Sequence, residues 1–299
     1  MTFESYIEKA WIDHATDSVS VAKGFAEGCA LIKSNEQLAS MAGLMTHVYG
    51  EHLGQWQSGI EALENLTSHT CFISNSESDQ AIKRSVAALN LASASNSKEG
   101  SRVAAPESFS VSDQIRILAI AASALAGFDK AKSKRAGQLL LQATELAKSG
   151  SSIDMKDPAN RALAVTGNNL ACALEERTQL SIDETELMIF AAKVGRTYWE
   201  IAGTPLHVNR AQYRLTMALL RAGVLEEADQ HAQLGIELAQ NSGAAPLEFF
   251  SAYEALARVE RARLRRESFA AAKACAVNYF EKLSPADQEW CRKSLEELL

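Results

Sequence analysis

The sequence is short of the residues that build β-structure and of those that interrupt helices. Aromatic residues fill only 7% of its 299 positions, so a core has to come from small and aliphatic side chains. Five prolines and 16 glycines are too few for the tight turns of an all-β sandwich. The five cysteines, Cys29, Cys71, Cys172, Cys275 and Cys291, include no CxxC pair. An odd and unpatterned set argues against a disulfide framework and reads as reduced thiols. Positive charge is the minority sign, 30 Lys and Arg against 37 Asp and Glu, and the net charge of −7 disfavours attraction to nucleic acid or an anionic membrane. The most apolar stretch, Ile117 to Phe128, spans about twelve residues, whereas a membrane span needs roughly twenty. The first nine residues hold neither a basic segment nor an apolar core of the signal-peptide kind. The expectation is a soluble, cytoplasmic protein with no nucleic-acid or membrane partner.

What is abundant is alanine, about fifty residues of it, set in a helical rhythm. Ile115, Leu118, Ala119, Ala122 and Leu125 fall three and four apart and predict one apolar stripe on a helix. Leu215, Ala218, Leu219 and Ala222 repeat the pattern. No segment alternates apolar and polar residues with β-branched enrichment, so no strand is expected. Breakers and caps predict helices over 3–14, 17–33, 35–52, 55–68, 79–94 and 112–126. Further helices follow over 130–148, 158–177, 183–202, 208–221, 225–240, 246–266 and 268–283, with a short last one over 286–298. Asp17, Asp79 and either Ser112 or Asp113 serve as expected caps, and Asp157-Pro158 is a strong start signal. The Ser-rich segment before Pro106 reads as the main loop. It divides the chain into N-terminal helix pairs (1–95), a loop (96–111) and C-terminal helix pairs with a cap (112–299), all read as one continuous array.

Internal repetition is the most informative feature. Glu145-Leu-Ala147, Glu200-Ile-Ala202 and Glu237-Leu-Ala239 each end a helix shortly before a glycine. Gly54, Trp56, Gly59, Leu63 and Leu66 have the same spacing as Gly223, Leu225, Ala228, Ala232 and Gly235. A turn lets the chain reverse, a bulky residue plugs the hairpin base, and small residues let the second helix approach the first. Asn169-Leu-Ala171 and the junction from Leu219 to Ala228 resemble the tetratricopeptide repeat (TPR) family, as does the stretch 158–243 in general and 35–68 to a lesser degree. The resemblance implies an all-α, right-handed TPR-like superhelix of antiparallel helix pairs, its last apolar face covered by the C-terminal helix. It also implies a non-catalytic interaction module that receives a peptide or protein in a concave groove. A ligand-responsive sensor of the same fold is the alternative. An unfinished end of such an array leaves apolar surface for a second copy, so a homodimer is a further expectation.

Some TPR proteins hold a partner's terminal carboxylate with basic and amide side chains on successive first helices. By that resemblance Asn169 takes the amide position, and Arg210 and Arg214, four apart on one helical face, take the basic ones. The preceding helix offers only Ile117 and Ala121 where further contacts would stand. Arg161, Asn168, Tyr213 and Met217 are additional groove candidates. The plainer reading pairs Arg210 and Arg214 with Glu226 and Glu227. His47, Glu51 and His52 invite a metal reading, with His69 and Cys71 beyond the helix end. Histidines five apart lie about 140° round an α-helix, a poor chelating arrangement, so no metal and no cofactor is expected. The arginines 258, 261, 263, 265 and 266, interleaved with Glu254, Glu260 and Glu267, read as a solvated or salt-bridged face. No GxSxG, P-loop or strand-linked GxGxxG is present, and Glu175-Glu176 and Glu226-Glu227 are adjacent pairs whose side chains point apart. No enzyme is expected.

Overall fold

A computed structural model describes residues 1–94, 106–149 and 153–299. Most of the expected Ser-rich loop lies outside them. The described residues are helical and contain no strand. Consecutive helices pack on one another, and none is long and apolar enough to cross a membrane. Two compact units divide the chain, Met1–Thr166 and Gly167–Leu299, so the boundary falls inside a helix.

Unit 1 opens with α1 (Phe3–Lys23), which is kinked where Asp17 leaves the helical region at φ −145°, ψ 66°. The break expected there is real, and Ser20 N donates to Asp17 Oδ1 at 3.0 Å, so the aspartate caps the second half. A short α2 (Phe25–Ala30) leads to α3 (Asn35–His47). Gly28 sits where a Cβ would lie 2.3 Å from the Tyr6 ring, which accounts for a glycine in a helical pattern. The expected helix over 35–52 does not run through. After His47 the chain widens into a π-helical turn, Val48–Leu53, closed by Gly54 at φ 61° with the Phe128 ring against it.

The helices α4 (Trp56–Leu66), α5 (Glu77–Ser93), α6 (Val111–Ala126) and α7 (Lys130–Lys148) complete unit 1, with the first part of α8 (Pro158–Glu175). Ser110 caps α6 by accepting from Asp113 N at 3.1 Å, two residues earlier than expected. The single stripe predicted for α6 is also too narrow. Ile117, Ala121, Ala124 and Ala126 are buried along with Ile115, Leu118, Ala119, Ala122 and Leu125, so α6 is enclosed on every side. Ile117 and Ala121 therefore line no groove.

Unit 2 holds the rest of α8, then α9 (Ile182–Ala202), α10 (Pro205–Arg221), α11 (Leu225–Ser242), α12 (Pro246–Ala262), α13 (Arg266–Phe280) and α14 (Pro285–Glu296). Gly167 and Gly195 bring α8 and α9 into backbone contact. The start of α10 moves three residues back from the expected Val208, because Pro205 occupies the first helical turn after Thr204. Cys291 of α14 and Leu298 beyond it join Phe250, Ala257, Ala272, Ala276 and Leu283 in one apolar cluster, so the last helix covers a face left by α12 and α13.

Candidate functional site

Unit 2 holds a cavity of about 410 Å³ walled by α8, α10, α11, α12 and α14. The small residues Ala232, Gly235, Ala252 and Ala255 leave the room, while Phe250 and Leu247 give an apolar floor. Trp290 stands at the wall and is three-quarters exposed. Asn209, Arg210, Tyr213 and Arg214 reach it from α10 because three- and four-residue spacings share a face.

Four of the seven sequence candidates meet here: Asn168, Arg210, Tyr213 and Arg214. Asn169 is half-buried on α8 outside the wall, and Arg161 is an exposed residue of unit 1. Met217 lies outside the wall as well. The ion pairs differ from those expected. Arg214 Nη1 donates to Glu175 Oε2, and Arg210 Nη2 to Glu248 Oε1 at 3.2 Å. Glu226 and Glu227 instead serve Arg263 and Lys193, at 2.9 and 3.0 Å. Both guanidiniums thus already hold carboxylates of this chain, and a ligand carboxylate has to compete with them.

A second layer fixes the first. Tyr213 donates its hydroxyl to Glu254, which also accepts from Arg258. Arg258 in turn donates to Glu297 Oε2 at 2.7 Å. Burial pushes Glu254 above the usual carboxylate range, against the pull of Arg258 and of the Tyr213 hydrogen bond. Burial, with Glu254 beside it, pushes the Tyr213 phenol far up. Burial opposes the Arg214 charge, but Cys172 and Glu175 outweigh it and hold that guanidinium above its ordinary pKa. The Cys291 thiol is pushed up to about 11, first by burial and then by Asp287, Glu254 and Glu248. The arginines between α12 and α13 are likewise paired, as the salt-bridged reading expected: Arg263 meets Glu226 and Asp229, and Arg265 lies 3.7 Å from Glu260.

Two wall atoms are left over. Asn209 Oδ1 and Arg214 Nε are buried and have no hydrogen-bond partner. A buried polar group without a partner costs on the order of 1–3 kcal/mol, so such atoms mark places where a ligand adds bonds at little desolvation cost. The sequence offers no signal for this, because the vacancy depends on which neighbours the other helices supply. Compared with protein-family models, curated proteins and solved structures, the chain finds no match.

Proposed function

We propose that unit 2 is a divergent TPR-like helical-repeat module that takes a peptide segment of a partner protein into the cavity beside α10, without catalysis. The unmatched wall atoms carry this reading: Asn209 Oδ1 needs a donor and Arg214 Nε–H an acceptor. A peptide group supplies an N–H and a C=O together. Ligands with net negative charge are disfavoured, because Glu175, Glu248 and Glu254 also line the wall. Two wall groups fit binding rather than nucleophilic chemistry. At neutral pH the Cys291 thiol is protonated and a poor nucleophile, and Tyr213 keeps its proton.

The test fills the cavity without touching the ion pairs. Ser251 and Ser294 are half-buried wall residues. Wild type, Ser251→Trp and Ser294→Trp are compared for capture of peptides from a displayed library and of proteins from native extract. Loss of the same ligands in both variants is expected. Equal recovery of every ligand by all three forms refutes the reading.

A volume of about 410 Å³ also suits a small molecule, which favours the sensor function as a second reading. A metabolite that raises the melting temperature of wild type, and not of Ser251→Trp, would support it. The absence of any shift across a metabolite panel counts against it.

A further inference from the structure

Three of the chain's six histidines come together in unit 1. His14 arrives from α1, His47 from the end of α3 and His52 from the π-helical turn. Their ring centroids form a nearly equilateral triangle with sides of 4.8, 4.9 and 4.8 Å. One ligand nitrogen from each lies within 4.8 Å of the other two. The expectation from sequence was that His47 and His52, five apart, point away from one another. That expectation assumed 3.6 residues per turn. A π-helix closes its bonds five residues on, and here it brings His52 Nε2 to 3.1 Å from His47 Nε2.

The outer nitrogens are held as well. His47 Nδ1 lies 3.1 Å from Glu51 Oε1, and His14 Nδ1 lies 2.7 Å from the Trp11 carbonyl oxygen. Both oxygens only accept, so both Nδ1 atoms carry a proton, and in the neutral rings both Nε2 atoms keep a lone pair. That is the arrangement by which carboxylates and carbonyls orient metal-binding imidazoles. Nitrogens bound tetrahedrally at about 2.1 Å are spaced ~3.4 Å apart, close to the His47–His52 separation. The other two sides lie within 4.8 Å, and a metal would draw the half-buried His14 ring and the exposed His52 ring inward to close them.

We propose that His14, His47 and His52 bind one divalent transition-metal ion through their imidazole nitrogens, with Glu51 and the Trp11 carbonyl orienting the ligands. Imidazole donors suit zinc, cobalt, nickel and copper and disfavour magnesium and calcium. Three protein ligands leave a fourth position on the solvent side, where His52 is exposed, for water or a donor from a bound molecule. The ion ties α1 to the π-helical turn and so fixes the first helix onto unit 1.

The test uses the full chain without an affinity tag, stripped with chelator and titrated with Co²⁺ and then Zn²⁺. One Co²⁺ per chain is expected, with the visible bands of a four-coordinate nitrogen-rich site, displaced by Zn²⁺. Zn²⁺ raises the melting temperature. His14→Ala, His47→Ala and His52→Ala each weaken binding by roughly a hundredfold or more, and Glu51→Gln weakens it by about 10–100-fold. A chain with His69, His207 and His231 all replaced by alanine binds like wild type. Circular dichroism confirms that each variant keeps its helices. His52→Ala is the decisive single change, because the exposed ring contributes little to packing. Absence of the cobalt bands, or wild-type affinity in His52→Ala, overturns the proposal.

Discussion

The same substitution, glycine to alanine, is expected to act in opposite directions at two helical positions. At Gly167 an added Cβ would lie 2.5 Å from Gly195 N, 2.7 Å from Ala191 O and 2.9 Å from Gly195 Cα. All three are backbone atoms, so no side chain can swing aside. Carbon contacts need about 3.5 Å, and α8 and α9 have to separate by ~1 Å. Overpacking of this kind costs about 1–3 kcal/mol, and the gap forfeits further dispersion along the interface. Helix propensity returns roughly 1 kcal/mol. The net expectation for Gly167→Ala is a loss of about 2 kcal/mol, or about 5–10 °C in melting temperature for a domain of this size. Gly43, inside α3, has nothing within 4 Å of its Cβ position. Gly43→Ala therefore keeps the propensity gain, roughly 0.5–1 kcal/mol. Urea and thermal unfolding followed by far-ultraviolet circular dichroism measure both, with the urea slope checked for change. A Gly167→Ala chain at least as stable as wild type would refute the backbone-contact argument.

Three further outcomes follow from buried charge and burial. Gln212 Nε2 donates to His231 Nδ1 at 2.7 Å, which requires a neutral ring. Burial pushes the His231 pKa down, Lys193 and Arg196 add to this, and Glu227 opposes it. The unfolded chain then binds the proton more readily, so stability is full above pH ~6.5 and falls as acid takes the pH through the lowered folded value. His231→Gln should flatten that part of a stability-versus-pH curve, and an unchanged curve would dismiss the argument. Arg84, almost fully buried, joins Glu77 at 2.8 Å and Asp113 at 2.9 Å. Arg84→Ala leaves Asp113 with Arg116 and the Ser110 hydroxyl, leaves Glu77 exposed, and should cost about 2 kcal/mol in urea unfolding through two lost charge-assisted hydrogen bonds. Cys291, protonated and buried, should resist alkylation at pH 7 until urea unfolds the chain, and rapid native-state labelling would contradict its environment.

The helices were legible because their signals are local. Asp129 caps α7 by accepting from Lys132 N at 2.9 Å, and α7 runs over the expected 130–148. Asp17, Pro158 and Pro285 likewise mark real boundaries or kinks. Long-range partners were not legible. Arg214 finds Glu175, 39 positions away, and Arg210 finds Glu248, 38 away, while the nearer Glu226 and Glu227 turn to other helices. The histidine triangle failed for a related reason. His14 is distant in sequence, and nothing in the segment 48–53 announces a wider helical turn. The boundary between the two units falls inside α8, where no composition shift marks it.

The enclosure of α6 bears on how unit 1 comes together. Its Ala124 carbonyl accepts from Trp56 Nε1 at 3.3 Å, and its Ala119 carbonyl from Thr166 Oγ1 at 3.1 Å. It also packs on α5, α7 and the π-helical turn. The earlier helices α3, α4 and α5 already pack on one another, but α5 and the π-helical turn each keep a face that only α6 covers. During synthesis, the apolar faces of α5 and the π-helical turn that α6 covers stay open to water until residues 111–126 have emerged. Shortened chains ending before α6 should accordingly fail to settle, whereas those retaining it through Thr166 carry the whole keystone.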